Sequence, residues 1–272
     1  MKSNFLILYL HLLLLLNIIY NINKNYIIDK GWKEMYKNYI FDLYGTLVDI
    51  NTNEEKAYLW EKMAEFYGYY GAHYKTVELK KAYKKACEDE KEKNAQFDCP
   101  EIKVEYVFLR LFKDKGINAD INLAIHAGQM FRIISTKYIK LYDGVIDFLE
   151  ALKKKGKKIY LLSNAQKIFT EHEIKLLGIY DYFDGIVLSS EENCCKPDKS
   201  YYEIVLNRYK LKKEESIMIG NDEIADIKGS YEAGLDSLYI HANISPEIKG
   251  KLLSKYTIMD GDFRKVKDLI LK

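Results

Sequence analysis

Residues 40–49 read Ile-Phe-Asp-Leu-Tyr-Gly-Thr-Leu-Val-Asp. Tyr39 extends the front of this stretch into an apolar run rich in β-branched and aromatic residues, which predicts a buried strand. Asp42 stands where the strand ends, and Gly45-Thr46 follow in a tight turn. A carboxylate there sits on the carboxyl edge, where open α/β sheets bind their ligands. Taken alone, the stretch reads equally well as a capped loop. Three later clusters, each near a strand end, decide against that.

The second cluster closes the strand pattern Lys158–Leu162 with Ser163-Asn164. The third is Lys196-Pro197-Asp198. The fourth ends the strand Ser216–Ile219 with Gly220-Asn221-Asp222, and Asp226 follows four residues on. Between and beyond them the chain alternates. Helical patterns cover 145–155, 166–177, 199–209 and 224–233, and strand patterns cover Gly185–Leu188 and Leu238–His241. Gly156, Gly178 and Gly234 mark helix ends. Such alternation predicts right-handed crossovers and a parallel sheet. Residues 53–140 differ: charged, helical throughout, with no strand signal. Helices are expected at 54–67, 77–93, 102–115 and 121–138, their aromatic residues packing between them.

An Asp, a Ser, a Lys and an acidic pair in this order resemble the haloacid dehalogenase-like hydrolase superfamily, from about Tyr39 to the C-terminus. The fold the resemblance implies is α/β, a Rossmann-like parallel sheet core with an inserted helical cap. The core is expected at 35–51 and 141–272 and the cap at 52–140, closing over the site and choosing the substrate.

The resemblance also implies roles. Asp42 is the expected nucleophile, since a carboxylate can form a covalent aspartyl intermediate and split one hard step into two. Thr46, Ser163 and Asn164 are expected to hold the transferred group. Lys196 would bind it too and supply positive charge to the nucleophile and transition state. Asp42, the Tyr44 carbonyl, Asp222 and Asp226 resemble the Mg²⁺ set of family phosphatases, hard oxygen donors suited to that ion. Asn221 competes with Asp222 for the place of the first acid, and Asp226 holds in either register.

Tyr44 departs from the phosphatase pattern, which carries a second Asp there as acid and base. A phenol of pKa about 10 serves that role poorly. Family members that cleave carbon–halogen bonds carry Tyr at this point, and Tyr202, six residues after Lys196, matches a dehalogenase spacing. They also use a cap arginine, where this chain has His73. Arg110 and Arg132 lie in helical patterns that predict surface ion pairs, and His126 and His172 fall on helices as surface or packing residues. A Mg²⁺-dependent phosphatase of a small phosphorylated metabolite is the leading expectation, because a dehalogenase has no use for the acidic pair. A metal-independent 2-haloacid dehalogenase and a non-catalytic phosphate-binding protein are the alternatives.

At 272 residues, with 48% hydrophobic and 30% charged residues, the chain has the composition of a folded soluble protein. A formal net charge of +2 points to no nucleic-acid partner. The 24 tyrosines carry no catalytic signal. Cys87, Cys99, Cys194 and Cys195 match no zinc spacing, and free thiols in a reducing cytoplasm are expected. Residues 5–20 form an apolar run shorter than the about 20 residues of a membrane span. Residues 1–34 therefore read as an untranslated leader ahead of Met35, giving a cytoplasmic protein, with a membrane anchor or signal through 5–20 as the alternative.

Overall fold

A computed structural model of the chain describes residues 36–271, so the expectations for residues 1–34 lie outside the described residues. Six parallel strands form the main sheet, in the order β5-β4-β1-β6-β7-β8. They are β1 (Asn38–Phe41), β4 (Lys158–Ser163), β5 (Gly185–Leu188), β6 (Ser216–Gly220), β7 (Asp236–Ile240) and β8 (Tyr256–Ile258). β1 is central, with Phe41 level with Leu161 on one side and Ile219 on the other. All four β1 residues are buried, as a strand covered on both faces requires. The α/β, Rossmann-like reading of the sequence therefore holds. β8 was not foreseen; at three residues it is too short for an alternation signal.

The crossover helices α5 (Val145–Lys154), α6 (Lys167–Leu176) and α7 (Lys199–Arg208) cover the sheet, and α9 (Phe263–Leu271) packs beside α5. On α5, Val145, Phe148, Leu149 and Leu152 recur at helical spacing and are fully buried. Each such side chain contributes about 1.5–3 kcal/mol of burial. The expected helix at 224–233 opens as a π-turn, Glu223–Lys228, before one α-helical turn, Gly229–Glu232 (α8).

Four helices lie between β1 and α5: α1 (Ala57–Tyr69), α2 (Thr76–Glu92), α3 (Val104–Lys113) and α4 (Ile121–Ser135). They bury a cluster of their own, including Leu59, Trp60, Met63, Phe108, Phe112 and Phe131. Phe131 meets Trp60 and Phe108, each at 5.5 Å between ring centroids. Most of the insertion's aromatic residues thus pack between its helices, while Tyr58, Tyr69, Tyr70 and Tyr106 are exposed.

A two-stranded antiparallel ribbon separates this bundle from the sheet, pairing β2 (Val48–Thr52) with β3 (Thr136–Leu141). This corrects the expectation of a helix running to 138 with no strand nearby. The backbone N–H and hydroxyl of Thr136 both donate to the Arg132 carbonyl and stop α4. Thr136, Tyr138 and Ile139 suit the pleated pairing that follows.

Candidate active site

Parallel pairing of β4, β1 and β6 sets their carboxyl ends side by side. Asp42, Ser163 and Asn221 therefore emerge at one edge, over a cleft of about 200 Å³ that Tyr44, Asn164, Lys196, Asp222 and Asp226 also line. Of the predicted residues, only Thr46 is not part of that lining. It lies one layer below, fully buried, with its hydroxyl 3.4 Å from Asp42 Oδ2 and 3.2 Å from Asn221 Oδ1. Gly45 has φ +88°, and a Cβ there would stand 2.3 Å from the Asn221 amide. Glycine is thus required both by the turn and by the approach of Asn221.

Lys196 anchors the centre. Its Nζ donates to Asp42 Oδ1 and Asp226 Oδ1, each at 2.7 Å, with the ammonium 1% exposed. Burial alone would lower its pKa, but the Asp226 and Asp42 carboxylates hold it above the ordinary lysine value. Burial raises the Asp226 carboxyl, and the net shift stays upward although Lys196 opposes it. The lysine is held from both ends. Its backbone N–H donates to Asn164 Oδ1 at 2.8 Å, and Asn164 Nδ2 donates to its carbonyl at 2.9 Å. The next peptide bond, to Pro197, is cis.

Asp226 is fully engaged. Its Oδ2 accepts from the N–H groups of Asn221 and Asp222, both at 3.0 Å. The π-turn makes this possible, because the Ile227 N–H reaches back to the Asp222 carbonyl at 3.1 Å. Asp222 Oδ1 caps that turn, accepting from Ile224 and Ala225 N–H at 2.8 Å each. Asn221 is the neighbour that meets Thr46 and the Gly45 turn.

Asp42 Oδ1 also accepts from the Ser163 hydroxyl at 3.2 Å. Among the described residues its Oδ2 has only the long Thr46 contact, and Asp42 lines the cleft. Asp42 Oδ2 and the second Asp222 oxygen are hard donors lining the same cleft, a set that suits magnesium, whereas Asp226, expected among the ligands, spends both oxygens on Lys196 and the Asn221 and Asp222 N–H groups. Among the described residues no three His, Cys, Asp or Glu side chains form a metal cage. Mg²⁺ needs none, since it uses one or two carboxylates with substrate phosphate and water.

Tyr44 turns toward α6. Its hydroxyl donates to Glu173 Oε2 and lies 3.0 Å from Thr170 Oγ1. Burial and the Glu173 carboxylate push the phenol pKa far up, Arg132 pulling against them. Arg132 reaches from α4 to grip Glu173 through Nε at 2.6 Å and a terminal nitrogen at 3.2 Å, with its guanidinium 5.4 Å from the Tyr44 ring centre. The expectation of a surface ion pair is therefore wrong for Arg132, whose side chain is 17% exposed. It holds for Arg110, paired with Asp89 at 2.7 Å. The sequence pointed to neither Thr170 nor Glu173. Their i, i+3 spacing on the helix after Ser163-Asn164 is the signal that carries them.

Tyr202 lies off the cleft, buried, its hydroxyl donating to the carbonyls of Ala225 and Asp226. It supports the π-turn rather than facing a substrate. His73, His126 and His172 are exposed.

The haloacid dehalogenase-like hydrolase family model matches residues 36–234. The chain is 28% identical over 142 residues to the putative HAD-hydrolase YfnB of Bacillus subtilis, covering 52% of this chain and 59% of that one. It is 33% identical over 94 residues to a glyceraldehyde 3-phosphate phosphatase of Methanothermobacter thermautotrophicus, 35% of this chain and 42% of that one. The match thus spans less than two thirds of either relative. The pyrimidine 5′-nucleotidase PynA of Streptococcus pneumoniae is 26% identical over 209 residues, 75% of this chain and 83% of that one. In fold, the chain resembles the 2-haloacid dehalogenase of Pseudomonas syringae, with TM-score 0.61, 18% identity, and coverage of 87% of this chain and 98% of that one. Motif order, sheet topology and family match agree: the chain belongs to the haloacid dehalogenase-like hydrolase family.

Proposed function

We propose that the enzyme is a magnesium-dependent phosphatase of a small phosphorylated metabolite, working through an aspartyl-phosphate on Asp42. The carrying observation is the Lys196 bridge, which neutralises Asp42 Oδ1 and leaves Oδ2 with only the long Thr46 contact among the described residues. In this reading Oδ2 attacks phosphorus, the ester oxygen leaves, and water then cleaves the acyl phosphate to free Asp42. The Ser163 hydroxyl and the Asn164 backbone N–H hold phosphoryl oxygens, and Lys196 balances the charge that develops near Asp42. Mg²⁺, when bound by Asp42, Asp222 and the Tyr44 carbonyl, supplies charge neutralisation at the phosphoryl oxygens. Asp226 acts by holding Lys196 and the Asn221-Asp222 backbone. Relatives named as phosphatases and a nucleotidase support the reaction class.

The test is phosphate release from an aryl phosphate by the full chain, with Mg²⁺ and with chelator. Mg²⁺-dependent turnover lost in Asp42→Asn is expected. Turnover that survives Asp42→Asn would overturn the reading.

One observation favours a second reading, a 2-haloacid dehalogenase: a cap arginine, Arg132, does lie against Tyr44. One edge of its guanidinium, Nε and a terminal nitrogen, is already held by Glu173, which ranks this reading second. Chelator-insensitive halide release from a 2-haloacid would establish it.

A further inference from the structure

The helical insertion and the Lys196 loop meet in a short antiparallel pairing. Pro100 bridges Cys194, the Cys195 N–H donates to the Cys99 carbonyl at 3.0 Å, and the Glu101 N–H donates to the Asn193 carbonyl at 2.9 Å. This register sets Cys99 directly opposite Cys195. Such residues present their side chains on one face with Cα atoms about 5.5 Å apart. That falls inside the window of about 4.4–6.8 Å that a disulfide spans. The Cys99 thiol is close enough to Cys195 to raise the Cys195 pKa. Both are half-buried, whereas the vicinal Cys194 is sealed in the core beneath Ser200. Asp198 fixes the pairing from its far side, its Oδ2 accepting from the Asp98 N–H at 3.0 Å.

We propose that Cys99 and Cys195 form an oxidisable dithiol, a modification site that a hydroperoxide converts into an intramolecular disulfide. The Cys99 sulfur attacks a peroxide oxygen of hydrogen peroxide, the O–O bond breaks and one water leaves, giving a sulfenic acid. The Cys195 sulfur then attacks the Cys99 sulfur, the S–O bond breaks and a second water leaves. Two thiols and one peroxide become one disulfide and two waters, the peroxide taking both electrons. Burial and the Glu101 carboxylate push the Cys195 thiol up to about 12, so little of it is thiolate at neutral pH. The bridge ties the α2–α3 connection of the insertion to the residue before Lys196.

The test treats the full chain with hydrogen peroxide, then alkylates it and maps peptides without reduction. The expected result is a peptide joining Cys99 to Cys195, a fall in titratable thiols from four to two, and reversal by dithiothreitol. Cys87→Ser keeps the bridge, while Cys99→Ser and Cys195→Ser each abolish it. The bridge closes a long loop in the unfolded chain, so the oxidised protein melts at a higher temperature than the reduced one. Failure to form the bridge, a Cys194–Cys195 or intermolecular bridge in its place, or a lower melting temperature on bridging would overturn the proposal.

Discussion

The Tyr44 hydroxyl donates a hydrogen bond to the Glu173 carboxylate, and Glu173 is held in turn by Arg132 of the insertion. The residue in the usual acid–base place of the phosphatase motif is therefore committed to a partner away from Asp42. With its pKa far raised, the phenol stays protonated across the physiological range.

If no side chain protonates the leaving group, turnover depends on how well that group leaves unaided. General acid catalysis typically contributes about 10²–10⁴-fold. Aryl phosphates are accordingly expected to turn over at least about 10²-fold faster than alkyl phosphates of similar size. A series of phosphate esters of graded leaving-group pKa measures this, and a flat dependence would show that an acid acts after all.

Glu173→Gln removes the charge that pairs with the mostly buried Arg132. Stranding one member of a buried pair costs about 3–5 kcal/mol, less where water reaches it. Urea unfolding should show a loss of a few kcal/mol, and Glu173→Gln/Arg132→Met should recover part of it. If the double variant is no better than the single, the pair is not the source of the loss.

Lys196→Met leaves Asp42 and Asp226 facing each other in the core with no cation between them. The same reasoning predicts about 3–5 kcal/mol of lost stability, together with loss of turnover. Lys196→Ala at a catalytic charge should cost about 10²–10³-fold in kcat. Stability and kcat measured on both variants separate the two effects.

Acid should loosen the contact between the insertion and the Lys196 loop. Burial opposes ionisation of Asp198, but bonds from Ser200, Cys99 and Asp98 hold its carboxyl below the ordinary range. The folded pKa thus lies below the unfolded one. Its stabilisation is complete above the unfolded value, about 3.9, and is lost as pH falls through the folded pKa. Asp184, gripped by Lys153, Lys158 and the Ile159 N–H, acts in the same direction. Melting temperature followed from pH 5 downward should fall, and Asp198→Asn should fall less steeply while starting lower.

The Cβ of Gly220→Ala would stand 2.2–2.4 Å from the Asp226 side chain. Overpacking of this kind costs about 1–3 kcal/mol and would push Asp226 off Lys196. Turnover should drop more than stability accounts for, which a kcat at a temperature well below unfolding can show.

The sequence by itself determined the sheet and the order of its polar strand ends. Short apolar runs closed by Asp42, Ser163 and Asn221 are local patterns, and alternation with helices leaves few ways to connect them. Asp42, Ser163 and Asn164 stand at such strand ends, whereas Lys196 was singled out only by the order of the four motifs and the family resemblance. Tertiary structure decided what those residues do to one another. Asp222 caps the turn that follows it and Asp226 anchors the Asn221-Asp222 backbone, contacts that the helical pattern of residues 224–233 does not encode. Arg132 and Glu173 met across 41 residues, and Cys99 and Cys195 across 96, because folding the insertion back onto the sheet sets such distances. The ribbon of β2 and β3 was missed because a strand of six residues following a helix gains its stability from a partner strand distant in sequence, Val48 pairing with Leu141, rather than from its own pattern.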